Sequence, residues 1–318
     1  MIPRSNLRVR WWLKMLISAA YHYSGLNRFM RALWAGGGVR VPIVTYHSIS
    51  DGSPGSLQRE KFLEQMDLIA RRFTPVRLET VVDLIEGRVS RAAFGDRPPV
   101  VLTFDDGFVD NYELVLPVLE RYGFPATLFV PTDFLGRENF WEQQHYHIPR
   151  REIVSAEQLR EMHRRGLTLG AHTCSHPHLS ELSDDAAEEE IARSRALLED
   201  LIGEPVLTFA YPFGQVIDWS PATAAIVEKL GFLCACSTVW GTVHRRGDRY
   251  RLSRIAPEPF DTVWSFRWKL EGRFDWLRLM HLQKYRAAGL AHRLQGRVYP
   301  AATAAAAPAT EHPRGGEA

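Results

Sequence analysis

Cysteine is scarce in this sequence of 318 residues. It contains only Cys174, Cys234 and Cys236, and a small, odd number in a chain of this length argues against a disulfide framework. Cys234 and Cys236 alternate within GFLCACS, a run typical of a strand, so both thiols should face the same side. Since no further Cys or His stands nearby at ligand spacing, we expect small buried side chains there rather than a metal site.

Acidic residues are absent from the first fifty positions, which contain seven Lys or Arg. The net charge of +2 for the whole chain gives no indication of nucleic-acid binding. Residues 1–40 are therefore predicted to form a basic amphipathic helical segment. Two interpretations are open: residues 1–35 contact an anionic membrane surface, or they pack on the main domain.

A long apolar run and a clear signal-peptide cleavage site are also lacking. Lys14 interrupts the apolar stretch at residues 11–20, which is much shorter than the ~20 residues that span a bilayer. The nearest small-residue site, Ser18-Ala19-Ala20, is followed by bulky side chains. These features favour a cytoplasmic or membrane-peripheral location over secretion.

From residue 41 onward, strand patterns alternate with helix patterns. We predict strands near 41–46, 100–104, 126–130, 168–171, 206–210, 233–237 and 251–255, and helices near 60–72, 80–86, 109–122, 156–165, 184–202 and 221–230. This alternation predicts an α/β fold with a parallel sheet, either open and doubly wound or closed as a (β/α) barrel. Residues 261–298 are predicted to be a helical extension. The Ala- and Pro-rich residues 299–318 have little to bury and are predicted to be disordered.

Two adjacent carboxylates, Asp105 and Asp106, follow the strand pattern VVLTF directly and precede Gly107. In α/β proteins the carboxyl ends of the strands are where ligands bind, because the loops that leave the strands converge there. However, Asp-Asp-Gly is also an ordinary turn sequence. The motif therefore needs support from elsewhere in the chain.

That support comes from His172 and His176, which stand four residues apart directly after another predicted strand. Two imidazoles and the carboxylate of Asp106 make a three-ligand set of the catalytic-zinc type, which leaves one coordination position open for water. His178 is interpreted as a neighbour on the loop, because a closed four-ligand site would leave no room for chemistry.

The motifs TFDDG, HTCSHPHLS and FAYPFG resemble the three signatures of the polysaccharide deacetylases, the NodB-homology or family-four carbohydrate esterases. The resemblance covers a catalytic domain at about residues 41–260, and implies a distorted, incomplete (β/α) barrel. It further implies Asp105 as the general base and Phe213 as a backbone N–H donor to the oxyanion. Asp106, His172 and His176 would then bind a divalent metal, with Zn²⁺ first and Ni²⁺, Co²⁺ or Mn²⁺ as alternatives.

Two positions depart from the family pattern. Many members have an Arg at the start of the third motif, where this chain has Ala210, and many have a Leu-x-His that supplies the general acid. The comparable stretch here, YRLSRIAP, contains Arg254, whose guanidinium hardly gives up a proton. We therefore predict that Arg254 orients Asp105. His47, at the end of VPIVTYHS, is the candidate general acid, with a brace on Asp105 or a structural role as alternatives.

Together with these residues, the resemblance implies a metal-dependent deacetylase that acts on an N-acetylated oligo- or polysaccharide, such as a bacterial surface polysaccharide or its precursor. One alternative keeps the fold and metal but changes the amide, as in a deformylase or an imide or ureide hydrolase. Another is a non-catalytic, membrane-associated polysaccharide-binding subunit, although a binding module has no use for the base Asp105 beside a metal. Trp141 and Trp240 are candidate sugar-stacking residues.

Overall fold

A computed structural model describes residues 4–27, 29, 30, 40–51, 54–141, 148, 150–244, 248–278, 280 and 283. The tail predicted at 299–318 and most of the extension beyond residue 278 lie outside the described residues. None of the helices in these ranges has both the length and the apolar character needed to cross a membrane.

Strands and helices alternate along most of the chain, as the sequence predicts. The strands are β1 Arg40–Val41, β2 Ile43–Tyr46, β3 Thr74–Pro75, β4 Pro99–Phe104, β5 Thr127–Val130, β6 Thr168–Ala171, β7 Thr208–Ala210, β8 Cys234–Trp240, β9 Val243–His244 and β10 Leu252–Arg254. The helices are α1 Arg4–Tyr23, α2 Arg59–Arg72, α3 Glu79–Ile85, α4 Leu116–Tyr122, α5 Ala156–Arg164, α6 Asp184–Ile202, α7 Pro221–Lys229 and α8 Val263–Leu270.

The main sheet is parallel and has the strand order β10-β8-β7-β6-β5-β4-β2, with β3 paired to β4 off this path. Its two edges meet at a seam, where the N–H of Thr45 donates to the carbonyl of Ile255 at 3.0 Å and the N–H of Ile255 donates to Ile43 at 2.8 Å. The sheet is therefore nearly closed into a barrel. The predicted incomplete (β/α) barrel is confirmed.

The core lies on both faces of this sheet. Every residue of β4 is buried, which explains its continuous apolar sequence. On the outer face, Tyr46 stacks on Phe104 with ring centroids 5.2 Å apart and meets the edge of Phe62 from α2 at 5.4 Å. Cys234 and Cys236 are fully buried, as predicted, in a second apolar cluster that includes Val101 of β4. Burial raises the pKa of the Cys236 thiol to about 12.

Candidate active site

The strand period of two determines which polar side chains enter the barrel. Along β4 and the residue after it, Val101, Thr103 and Asp105 share one face. Val101 belongs to the same apolar cluster as Cys234 and Cys236. Along this inner face, the apolar Val101 lies toward the start of β4. The polar Asp105 follows the carboxyl end of the strand, where a cleft opens.

Arg254 and Asp105 form a buried, bidentate ion pair. The two guanidinium nitrogens Nη1 and Nη2 donate to Oδ1 and Oδ2 of Asp105 at 2.7 and 2.6 Å. Nε of Arg254 donates to the carbonyl of Ser237 at 2.9 Å, which fixes the plane of the guanidinium. Burial is the largest single effect and raises the pKa of Asp105, but the charges of Arg254, His47 and His172 and the hydrogen bonds from Arg254 together outweigh it, so the pKa lies below its ordinary value. This carboxylate is therefore ionised and held in one orientation.

Asp106, His172 and His176 form a buried cluster whose ligand atoms all lie within 4.8 Å of one another. Oδ1 of Asp106 is 3.6 Å from Nε2 of His172 and 3.3 Å from Nε2 of His176. Nδ1 of His172 lies 2.7 Å from the carbonyl of Ala210. A proton on Nδ1 would satisfy that carbonyl and leave Nε2 as the ligand atom.

The donor set of this cluster fits a divalent metal. Burial lowers the pKa of His176 to about 4, so its imidazole is neutral near pH 7 and offers a lone pair. Nδ1 of His176 is buried and has no hydrogen-bond partner, which is costly for a polar atom away from water. Two neutral imidazoles and one carboxylate are the ligand types of catalytic zinc sites.

The backbone of the site is strained. Within the described part of the chain, the non-glycine residues with positive φ are Asp106, Thr173, His176 and Phe213, with φ between 58° and 72°. Side chains disfavour this left-handed region by ~1–2 kcal/mol each, and such residues concentrate at functional sites. The loops after β4, β6 and β7 thus adopt unfavourable backbone conformations, and these conformations position the side chains of the site.

His47 lies on the rim of the same cleft, directly after β2. Its Nε2 is 3.9 Å from Oδ2 of Asp105, and its side chain is 44% exposed. This separation exceeds hydrogen-bond length. His47 is therefore close to Asp105 and also open to the cleft.

Phe213 lines the cleft beside the ligand cluster. Its ring contacts His176 edge-on at 4.7 Å and stacks on His178 at 3.9 Å. Nδ1 of His178 lies 2.9 Å from Oδ1 of Asp218, which also accepts from the N–H of Gln215 through its other oxygen. His178 thus packs against the Phe213 loop and lies outside the ligand cluster, as the sequence predicts.

Trp141 and Trp240 both line the cleft, but Trp141 is only 2% exposed. Its ring lies face to face with His176, with centroids 4.2 Å apart. Nζ of Lys269 lies 5.2 Å from the ring centroid of Trp240. The face of Trp141 toward His176 is therefore occupied, and the structure gives that residue a packing role against the imidazole.

A cavity of about 360 Å³ connects these groups to solvent. Its rim includes Lys14 from α1 and Glu258, whose side chains pair at 2.6 Å. Neither residue is predictable as a site residue from the sequence, because nothing in the local pattern of α1 indicates that it reaches the cleft. The two residues are 244 positions apart in the sequence, so only the fold shows that they pair.

A second group that is not predictable from the sequence holds the histidine loop, residues 172–176, from the side of α6. Glu190 on α6 accepts from the N–H groups of Cys174 and Ser175, each at 2.9 Å, and from the hydroxyl of Ser175 at 2.6 Å. These residues lie between His172 and His176. The carboxylate of Glu190 therefore fixes the loop that carries both imidazoles.

Comparison with known proteins gives a consistent result. Residues 94–235 match the family model described as polysaccharide deacetylase. YxkH of Bacillus subtilis, provisionally named a polysaccharide deacetylase, is 27% identical over 224 residues, which cover 69% of this chain and 72% of that protein. The poly-β-1,6-N-acetyl-D-glucosamine N-deacetylase of Staphylococcus aureus is 27% identical over 165 residues, which cover 49% of this chain and 53% of that enzyme. The match thus spans about half the length of the Staphylococcus enzyme.

Solved structures show the same fold at low sequence identity. The deacetylase PplD of Streptococcus pyogenes, in complex with acetate, has a TM-score of 0.62 and 23% identity, covering 73% of this chain and 99% of that one. IcaB from Ammonifex degensii has a TM-score of 0.61 and 24% identity, covering 73% and 98%. The family model thus assigns residues 94–235, which contain the three motifs, to the polysaccharide deacetylases, and the solved structures show that the chain shares its fold with proteins of this kind.

Proposed function

We propose that this deacetylase is metal-dependent and removes N-acetyl groups from an N-acetylated saccharide. The observation that carries the proposal is the position of Asp105, ionised and held by Arg254, beside the buried cluster of Asp106, His172 and His176. Buried ionised groups with perturbed pKa values next to a ligand set are typical of catalytic sites. A protein that only binds polysaccharide has no need of them.

Asp106, His172 and His176 would hold the metal, with Zn²⁺ preferred and Ni²⁺, Co²⁺ or Mn²⁺ as alternatives. A bound divalent cation supplies Lewis acidity, which polarises the amide carbonyl and lowers the pKa of water. The chain prepares this site in advance. His176 is neutral because of its burial, and the carbonyl of Ala210 orients His172.

Asp105 would act as the general base by accepting a proton from the attacking water. Arg254 keeps the carboxylate ionised and fixes its orientation, so no reorganisation is needed at the moment of proton transfer. Positioned proton transfer of this kind contributes about 10²- to 10⁴-fold in rate.

Phe213 and His47 would serve the two remaining needs of amide hydrolysis. The backbone N–H of Phe213 would donate to the oxyanion of the tetrahedral intermediate, a type of contact worth about 3 kcal/mol. His47 would then protonate the departing amine, because it is the exposed imidazole beside the base. An amine is a poor leaving group unless it is protonated, so the reaction requires such a donor.

The proposed substrate is a bacterial surface polysaccharide or its precursor. The Staphylococcus relative is named for poly-β-1,6-N-acetyl-D-glucosamine. An N-acetylated glycan of this kind is the substrate that we propose for the present chain. The polar rim residues Lys14, Gln215, Thr238 and Glu258 offer hydrogen-bond partners for sugar hydroxyls. We further propose a cytoplasmic or membrane-peripheral location.

The test combines metal analysis of the purified protein with an amine-release assay on N-acetylglucosamine oligomers. Asp106→Ala, His172→Ala and His176→Ala should each lose most of the bound metal and all activity, because a three-ligand site cannot spare a ligand. Asp105→Asn should keep the metal and lose rate by about 10²- to 10⁴-fold, since an amide does not accept the proton.

His178→Gln is the matched control, because His178 lies on the same loop but pairs with Asp218. Its metal content should equal that of the wild type. Full metal occupancy in a His172→Ala/His176→Ala double variant would contradict the ligand assignment. Loss of metal in Asp105→Asn would show that Asp105 is a ligand and not the base.

A further inference from the structure

The N-terminal helix α1 packs on the domain through one face. Ser18 is fully buried and accepts a hydrogen bond from Nε1 of Trp276 at 2.8 Å. Met15 and Ala19 pack against an apolar cluster that includes Trp268. This face of α1 is therefore part of the folded protein, in agreement with one of the two interpretations drawn from the sequence.

The same face reaches the active-site cleft. Nζ of Lys14 pairs with Glu258 at 2.6 Å, and both residues line the cleft. Glu258 also accepts from the buried Lys269 at 3.2 Å. α1 is thus fixed to the cleft wall by a chain of charged groups.

The opposite face of α1 is apolar and exposed. Leu16 is 66% exposed and Trp12 is 61% exposed, although burial of such side chains is normally favourable. They recur at helical spacing with further exposed apolar side chains: Val9, Leu13, Ile17 and Tyr23. Leu26 and Phe29, just beyond the helix, are exposed as well. This outer face of α1 is a continuous apolar stripe.

The charge of α1 indicates what covers this stripe. Besides Lys14, which pairs with Glu258 on the inner face, the helix contains Arg4, Arg8 and Arg10 and no Asp or Glu. A helix with an exposed apolar face, aromatic residues and basic residues alone matches an anionic lipid surface in both hydrophobicity and charge. A protein partner would need a surface that is both apolar and acidic to match this helix equally well.

We propose that the outer face of α1 docks on an anionic lipid membrane, with α1 lying in the plane of the interface. Since the inner face of the same helix contributes Lys14 to the cleft, docking places the cleft beside the membrane. The protein thereby meets glycan at the membrane surface, a consequence that rests on the proposed deacetylation, whereas the docking itself does not.

The test uses the full chain and co-sedimentation with phosphatidylglycerol vesicles at low salt. The wild type should bind these vesicles, bind phosphatidylcholine vesicles at least ten-fold less, and lose binding as salt is raised. Trp12→Glu/Leu16→Glu should reduce binding at least ten-fold. Its thermal unfolding midpoint should be unchanged, because both side chains are exposed.

Leu197→Glu is the matched control, because Leu197 on α6 is an exposed apolar residue, 45% accessible, on a different helix. It should bind vesicles like the wild type. Absence of binding to phosphatidylglycerol by the wild type, or equal binding by Trp12→Glu/Leu16→Glu, would overturn the proposal. So would a stable dimer in light scattering that this double variant dissociates without any vesicle binding, since α1 would then join two copies of the chain.

Discussion

At the scale of single residues, the orientation of Asp105 depends on one guanidinium. Both carboxylate oxygens contact Arg254 at 2.6–2.7 Å, and the hydroxyl of Thr45 donates weakly at 3.3 Å. His47 stands further away, at 3.9 Å. Since Asp105 is already held without it, the geometry favours His47 as a proton donor over His47 as a brace.

His47→Gln tests this division of roles with two substrates. The variant should fold and bind metal normally but slow amide hydrolysis by about 10²- to 10⁴-fold, because glutamine cannot donate a proton to the amine. An activated phenyl ester should be slowed much less, since a phenolate leaves without protonation. The measurement is the ratio of kcat/KM for the two substrates.

Arg254→Lys provides the comparison, because it keeps the charge but loses the planar fork that contacts both oxygens of Asp105. It should slow amide and ester alike. If His47→Gln also slows both substrates equally, His47 braces the base, and if neither substrate is affected, its role is structural.

At the scale of elements, the histidine loop is held by a helix that contributes no ligand. Thr173 and His176, in the loop after β6, adopt positive φ. Glu190 on α6 holds this loop through three hydrogen bonds to Cys174 and Ser175, in addition to backbone hydrogen bonds from the loop after β5. A displacement of α6 would therefore move both imidazoles.

Glu190→Gln should weaken metal binding by about 10- to 100-fold, the usual effect of removing a partner behind the ligands. The amide keeps one acceptor oxygen, whereas the wild-type carboxylate accepts with both. The metal affinity is measured by competition with a chelator, and the fold by circular dichroism. Glu189→Gln, at the exposed neighbouring position, should leave the affinity unchanged. Equal affinities in the two variants would remove Glu190 from this role.

The sequence predicts regular elements well where a single periodicity operates. β6 and α6 have the predicted bounds of 168–171 and 184–202, because each has a clear pattern and α6 has a serine N-cap. The helix predicted at 109–122 is present but contains a π-helical segment, Asn111–Val115, before α4. A change of hydrogen-bond register of this kind leaves no trace in apolar spacing.

The candidate site is predictable to the extent that it follows strand ends. Asp105, Asp106, His172 and His176 follow β4 and β6, so the sequence indicates that they converge. Lys14 and Glu190 come from helices remote in sequence, and their contacts depend on tertiary packing. The positive φ of Asp106 and His176 is equally invisible, because even Asp and His adopt this conformation in only a small fraction of cases.

At the scale of the whole molecule, the barrel is held closed unevenly. β5 and β6 pair over four residues, whereas the seam between β2 and the end of β10 consists of a single bridge at Val44 and Ile255. His47 and Arg254 are carried by the two strands that meet at this seam. Local opening there would separate Arg254 from Asp105 while the rest of the sheet remained paired.

Hydrogen exchange under native conditions should therefore show the seam opening first. The amides of Thr45 and Ile255, which donate across the seam, should exchange at least ten-fold faster than those within β5 and β6, because fewer paired residues oppose local opening. The measurement is residue-resolved exchange by NMR or mass spectrometry. Equal protection across the barrel would show that the sheet opens as one cooperative unit.

The position of Arg254 also affects how members of this family are classified. A search that requires arginine in the third motif finds Ala210 there and would judge the site of this chain incomplete. In space the ion pair is complete, because a guanidinium from β10 contacts Asp105 inside the barrel, whereas the motif residue would have come from β7. Deciding whether a divergent member has kept its chemistry thus requires asking whether any strand brings a cation to the base, whatever its place in the alignment.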